Sequence, residues 1–247
     1  MSKPIEVFWA PAPFKSTDQQ FNFEYDAPVA VLNPFGKGQT NKEILACPAV
    51  RDTVRNLYAF KSPLGDRHKF PPGKLAELEE QAADNTYFRG EGGRISLIKI
   101  RRSGLHGYIN LNYNISWVFH ASEPLTMKTS APHFPATTPA PGTYMVPGQL
   151  DVGRWFRQIN LDYHVPVNAK EFYVQKNDPL MFMDFQTDRK IKFRRFIPTP
   201  ELQQLALEFA DSSVTHRRSS MAERYEYARR SKMDLVAKKL IQDAVVE

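Results

Sequence analysis

The stretch Ile109-Asn110-Leu111-Asn112-Tyr113-Asn114-Ile115-Ser116-Trp117-Val118-Phe119-His120 decides how this chain is read. Ile109, Leu111, Tyr113, Ile115, Trp117 and Phe119 alternate without a break, and successive side chains of an extended strand point to opposite sides. Six apolar residues therefore share one face, while Asn110, Asn112, Asn114, Ser116 and His120 collect on the other. The pattern repeats at Ile159, Leu161, Tyr163 and Val165, with Asn160, Asp162 and His164 opposite. Both segments read as antiparallel strands with one buried and one polar face.

Working outward, further strands are predicted at Ile95 to Ile100, Gly142 to Val146, Phe172 to Val174, Leu180 to Phe185 and Ile191 to Phe196, with a turn at Asn177-Asp178-Pro179. Ala131 to Pro147 holds five prolines, which cannot donate to a ladder, so it is expected to be a stiff crossover. Before the first strong strand the chain reads as irregular, with Pro28 to Leu32 as a short strand. Ala49 to Phe60 is predicted helical from the spacing of Val50, Val54, Leu57 and Tyr58, as is the Ala/Glu/Leu-rich Lys74 to Ala83. Lys61 to Gly73, with three prolines and two glycines, is expected to be a loop between them.

Thr199 and Pro200 suit a helix start, and Leu202, Leu205, Ala206 and Phe209 form a stripe able to dock on a sheet. Met221 to Val246 contains neither Gly nor Pro and reads as one helix of roughly 39 Å at 1.5 Å per residue. The expected fold class is mainly β: an antiparallel sandwich or jelly-roll-like barrel with minor N-terminal helices and a C-terminal helical extension. Residues 1–211 would form the β domain and 212–247 a basic helical tail.

Among 247 residues there are 17 Phe, 10 Tyr and 3 Trp, a content that suits half-buried strands, and a single cysteine. Cys47 alone excludes an intrachain disulfide and any multi-thiolate metal site, and its apolar surroundings predict a buried, inert thiol. Met1-Ser2-Lys3-Pro4-Ile5-Glu6 lacks the apolar run of a secretory signal, and no stretch approaches the ~20 apolar residues that span a bilayer. The expected location is cytoplasmic, or a virion if the chain is phage-encoded, with no membrane partner.

Neither Gly-x-Ser-x-Gly nor His-Glu-x-x-His occurs, and no metal ligand set or cofactor is expected. Two candidate sites emerge. If the polar strand faces meet in one mouth, Asn110, Asn112, Asn114, His120, Asp162 and His164 would line a pocket with a His/Asp acid–base pair. The competing reading is a polar sheet surface facing water. Arg189, Lys190, Lys192, Arg194 and Arg195, interleaved with Phe193 and Phe196, form a basic patch able to hold phosphates and stack bases, or to guard a sheet edge against aggregation. A further basic run is Lys99-Ile100-Arg101-Arg102, and the net charge is +6.

Phe8-Trp9-Ala10-Pro11-Ala12-Pro13 near the start and Asn177-Asp178-Pro179-Leu180-Met181-Phe182 late in the chain resemble an uncharacterised family of phage and bacterial proteins. That resemblance implies a phage or bacterial origin and no particular activity. A narrower one joins Pro147-Gly148-Gln149-Leu150-Asp151 and Val174-Gln175-Lys176-Asn177-Asp178-Pro179-Leu180, which look like the β-clip segment of the dUTPase and dCTP deaminase superfamily. It implies that Asp151 orients an attacking water. Here Trp155 falls one residue late, and the Ser-rich phosphate motif and Gly-rich arm are missing.

The leading expectation is a non-enzymatic protein acting through assembly or binding, in a virion or on a host, with the helix from Met221 contacting another copy or a protein partner. The alternatives are an enzyme acting on a nucleotide or small polar substrate, and a nucleic-acid-binding protein.

Overall fold

The computed structural model describes residues 2–11, 25–31, 47–70, 72–73, 75–76, 86–89, 95–132, 139–215 and 220–246. Fourteen strands are described: β1 Ile5–Pro11, β2 Val29–Ala30, β3 Leu57–Lys61, β4 Asp66–Lys69, β5 Thr86–Arg89, β6 Ile95–Arg102, β7 Tyr108–Ala121, β8 Thr126–Ser130, β9 Tyr144–Met145, β10 Gly148–Asp151, β11 Gln158–Pro166, β12 Glu171–Val174, β13 Pro179–Phe185 and β14 Ile191–Arg195. The helices are α1 Pro48–Thr53, α2 Pro200–Thr215, α3 Met221–Arg230 and α4 Met233–Ala244. The protein is mainly β, with antiparallel sheets arranged like a sandwich and, among the described residues, no closed barrel.

β7 organises the larger sheet. One of its edges pairs with β11 over most of its length, while the other is shared: β6 takes Ile109 to Tyr113 and β1 takes Trp117 to Ala121. β1 in turn pairs in parallel with β14, and β11 carries β9 on its far side. The second sheet runs β10-β8-β13-β3-β2, and β12 pairs with β4 in a separate ribbon.

Alternation explains how the two sheets meet. Trp9, Leu111, Tyr113, Trp117, Phe119, Leu161 and Tyr163 from the large sheet share one core with Phe60, Met127, Met181, Met183 and Phe185 from the other. Tyr163 fastens the layers as well, its buried hydroxyl donating to the Leu180 carbonyl at 3.0 Å. A ring this large with a satisfied polar tip fills a core without leaving an orphan.

The opposite face of the large sheet carries a second core. Phe8, Ala10, Val118 and Phe196 pack there with Trp155 and Phe156, covered by Leu202, Leu205, Ala206 and Phe209 of α2, Ala228 of α3, and Ala237 and Ile241 of α4. The C-terminal segment then returns to the sheet, where Val245 bridges Phe196 and Val246 N–H donates to the Arg195 carbonyl at 3.0 Å. α3 and α4 are thus packed on the face of the sheet, and position 211 falls inside α2.

Several expectations need correction. The helix expected over Ala49 to Phe60 stops at Thr53, and Leu57–Lys61 forms β3, which lies between β13 and β2. There Leu57, Ala59 and Phe60 are buried, so inter-sheet packing outweighs helical spacing. The expected loop Lys61 to Gly73 contains β4, and the N-terminal Ile5–Pro11, read as irregular, is a strand paired on both edges. Cys47 is exposed at the N-cap of α1 rather than buried. The single helix over Met221 to Val246 divides at Ser231-Lys232, where Lys232 adopts a left-handed φ of 54°. The break lets Ala228 and Ile241 both reach the sheet. Of the expected helix over Lys74 to Ala83 only Leu75 and Ala76 are described, both helical, and the rest of it and the middle of the proline-rich segment lie outside the described residues.

One glycine is dictated by close approach. A Cβ on Gly153 would overlap the carbonyl of Glu123 and the Cα of Pro124, both backbone. These loops are bound together, since Ala121 N–H donates to the Val152 carbonyl and Val152 N–H to the Leu125 carbonyl, each at 2.9 Å. Gly153→Ala is therefore expected to cost about 2 kcal/mol, typical of overpacking a site that cannot relax. Urea denaturation would measure it, and a loss under about 0.5 kcal/mol would show that the loop gives way.

Candidate functional site

The polar face of β7 and β11 divides into two environments. At the β1 end, His120 is 1% exposed beneath the helical layer, its ring edge-on to Phe156 at 6.0 Å. Neither ring nitrogen has a partner among the described residues. Burial, reinforced by the nearby Lys238 ammonium, pulls its pKa from 6.5 down to about 4. Lys238 itself reaches over from α4 to donate to the Ser122 carbonyl at 2.8 Å.

At the other end the residues do come together. Asn112 lies opposite Asp162 and Asn110 opposite His164 in the antiparallel register. Asn112 Nδ2 donates to Asp162 Oδ1 at 2.9 Å, and Asn112 is only 5% exposed. His164 Nδ1 meets Ser103 Oγ at 3.0 Å, while Ser103 Oγ also accepts from Leu105 N–H at 3.1 Å. The Tyr144 ring lies 5.2 Å from the His164 ring and 5.4 Å from that of Tyr108, and Tyr144 is 42% exposed. Asn110 Oδ1 is buried here without a hydrogen-bond partner among the described residues.

The six-residue pocket is therefore corrected. Asn110, Asn112, Asp162 and His164 share one patch, but His120 stands eight residues from Asn112 along a strand, roughly 25 Å at 3.3 Å per residue. Only its place on the same face was read correctly; the cover that buries it comes from residues more than eighty positions away. Asn114 lies in β7, and its side chain is outside those described. The acid–base pair does not form either, because Asp162 is held by Asn112 and His164 by Ser103. Tyr108 and Tyr144 were missed as site residues, although Tyr108 continues the even-numbered polar face of β7 and was legible as such.

Beside Asp162 lies a half-buried cation. The Arg157 guanidinium sits 5.8 Å from the Trp155 ring, and Trp155 stacks edge-on to Tyr225 of α3 at 5.4 Å. Burial lowers the Arg157 pKa, as does Arg224, while Asp162 opposes the shift. Tyr225 completes this seam by accepting from the Asp151 backbone N–H at 2.8 Å.

Asp151, the residue implied to orient water, is occupied otherwise. Its Oδ1 accepts from Leu125 N–H at 3.3 Å and Gly153 N–H at 3.1 Å, and Oδ2 lies 3.4 Å from Arg154 Nε. The carboxylate organises the turn after β10.

The basic patch on β14 is mostly committed within the chain. Arg189 pairs with Glu123 and donates from Nε to the Lys3 carbonyl at 2.8 Å. Arg194 lies 3.7 Å from Glu6, directly along the register that sets Glu6 beside Lys192, and Arg195 sits over the Trp9 ring at 5.6 Å. Lys190 and Lys192 remain exposed. Phe193 and Phe196, expected to stack bases, instead pack toward the first and second cores.

A void of about 10 Å³ between the sheet and α2, lined by Ala10, Val118, Phe156, Phe196, Leu202 and Ala206 among others, is apolar and no larger than one water. Among the described residues, no three His, Cys, Asp or Glu side chains are grouped to hold a metal ion, and no helix is long and apolar enough to cross a membrane. Comparison of the chain with family models, with curated proteins and with solved structures returns no match.

Proposed function

We propose that this chain is a non-enzymatic protein of phage or bacterial origin that acts through binding, presenting Tyr108, Asn110, Tyr144, Asp162 and His164 as a rigid recognition platform. One observation carries the reading: Asp162 and His164, two residues apart on one face, are each tied to a neutral neighbour instead of to each other. Such bonds hold the side chains in place for contact, and the bonds described for His164 include no carboxylate that would orient its ring as a general base. The platform is stiff because the same strands bury the Leu111, Leu161 and Tyr163 core behind it. General acid–base catalysis contributes about 10²–10⁴-fold. A hydrolase and nucleotide substrate screen is therefore expected to show no turnover that depends on His164. A rate falling a hundredfold in His164→Ala would establish the enzyme alternative instead.

Assembly is the second part of the proposal. The apolar side of α3 and α4 is used against the sheet, yet Tyr227, Leu235 and Val236 remain exposed. These residues provide the contact with another copy or a protein partner. Deleting the tail would uncover the second core, so the sharper variant is Leu235→Lys with Val236→Lys. Light scattering should report an oligomer for the native chain and a reduced mass for the variant; a native monomer would overturn self-assembly.

A further inference from the structure

We propose that the outer edge of β14 receives an extended acidic segment of a partner protein, which joins the larger sheet as an added strand. This surface lies apart from the platform and does not rest on that reading. β14 ends the larger sheet, and among the described residues β1 is its one paired strand. Ile5 N–H donates to the Lys190 carbonyl at 2.9 Å and Phe196 N–H to the Trp9 carbonyl at 3.1 Å, so the even-numbered residues turn their backbone groups toward β1. Successive residues of a strand alternate in this respect, and Ile191, Phe193 and Arg195 turn theirs outward. The C-terminal segment already uses the far end of that edge: Val246 N–H donates to the Arg195 carbonyl and Ile197 N–H to the Ala244 carbonyl, each at 3.0 Å. Ile191 and Phe193 have no such partner among the described residues. Their outward N–H and C=O groups are an open template for a strand.

What flanks this gap sets the sense and the chemistry of the occupant. Val245 meets Phe196 in the antiparallel sense, and a strand added along the same edge in that sense sets its residues directly opposite Lys192 and Phe193. Paired residues share a side of the sheet. On one side Ile191 and Phe193 pack against the inter-sheet core, the Phe193 ring edge-on to Tyr58 at 4.9 Å, so apolar residues suit that side. On the other Lys192 is exposed, as is Lys190 just before the strand, so carboxylates suit the alternate positions. Glu6 and Glu123 are already met by Arg194 and Arg189, and neither lysine has an ion-pair partner among the described residues. A second copy is disfavoured, because two such edges in antiparallel register bring like charges together. Lysines on an edge ordinarily ward off neutral strands; here they select an acidic one.

Fluorescence anisotropy of a labelled seven-residue peptide alternating glutamate and valine, titrated with the full chain, tests this against a peptide alternating lysine and valine. The acidic peptide is expected to bind and the basic one not. Lys190→Glu with Lys192→Glu should weaken the acidic peptide about tenfold, the scale of two reversed cross-strand charge pairs, and admit the basic one. In an antiparallel pair the residue opposite Phe193 exchanges both backbone bonds with it. N-methylation of the valines should therefore abolish binding, while N-methylation of the glutamates leaves it. His164→Ala, on the platform, should leave the affinity unchanged. No binding of the acidic peptide, equal binding of both peptides, indifference to valine N-methylation, or a loss in His164→Ala would each overturn the proposal. So would tighter binding of a labelled single-stranded oligonucleotide than of the acidic peptide, which would assign the two lysines to phosphates.

Discussion

Phe209→Ala is expected to lower stability by about 3–5 kcal/mol, the range for deleting a buried aromatic ring. The ring is 1% exposed and meets Trp155 at 5.5 Å and Phe156 at 6.3 Å, both edge-on. Phe156 in turn touches Phe196 at 6.3 Å, so the vacancy would open at the centre of the second core. Little can collapse into it, because the sheet behind is braced by the first core and the helix axis is held by Leu202 and Leu205. The loss should appear in one cooperative transition, since α2, α3 and α4 share that core with strands β1 and β7 and with Phe196 just after β14. Urea unfolding followed by far-ultraviolet circular dichroism and by tryptophan fluorescence tests both points. Coincident curves shifted to lower urea are expected; two separate transitions would show that the C-terminal helices fold as their own unit.

The second large effect is acid sensitivity through His120. Its folded pKa of about 4 lies below the ordinary 6.5, so between those values the unfolded chain binds a proton that the folded chain refuses. Stability from this residue is complete above about pH 6.5 and is lost as pH falls toward 4. At 1.36 kcal/mol per pH unit, the loss amounts to about 3 kcal/mol. The physical cause is local: an imidazolium would be buried beside Phe156 and close to the Lys238 ammonium. His120→Leu should remove this part of the pH dependence and be neutral or stabilising at pH 7, because neither ring nitrogen gives up a described hydrogen bond. Denaturation midpoints at pH 7, 5.5 and 4 would measure the difference. Parallel curves for the native chain and His120→Leu would mean that the ring finds a partner on protonation.

Such a dependence falls on the same seam that fixes the C-terminal helices to the sheet. Acid would weaken the contact between α4 and β7, where His120 lies near the Lys238 ammonium.

The strands β7 and β11 were legible because a period of two is a local property. Each residue needs only its own extended backbone to send Leu111 one way and Asn112 the other, and burial then rewards that choice. β12, β13 and β14 were readable as short apolar or aromatic runs bounded by turn residues, β13 being buried continuously from Leu180 to Met183. β3 was not: Val50, Val54, Leu57 and Tyr58 satisfy a helical spacing as well as a strand edge, and only the pairing with β13 decides between them. Ile5–Pro11 is similar, being short, flanked by prolines and stabilised by partners more than a hundred residues away. The helix break at Lys232 carries no glycine or proline to announce it, because it is imposed by the need of both helices to reach one sheet face.

By itself, then, the amino-acid order determined which residues share a face, and so placed Asn110, Asn112, His120, Asp162 and His164 together on the polar side. The tertiary structure alone decided what lies above that side. Covering helices make His120 a buried neutral base at one end, while cross-strand bonds make Asp162 and His164 parts of an aromatic platform at the other. The reason is physical: alternation is encoded by neighbours along the chain, whereas solvation and hydrogen-bond partners depend on whatever distant segment packs against the strand.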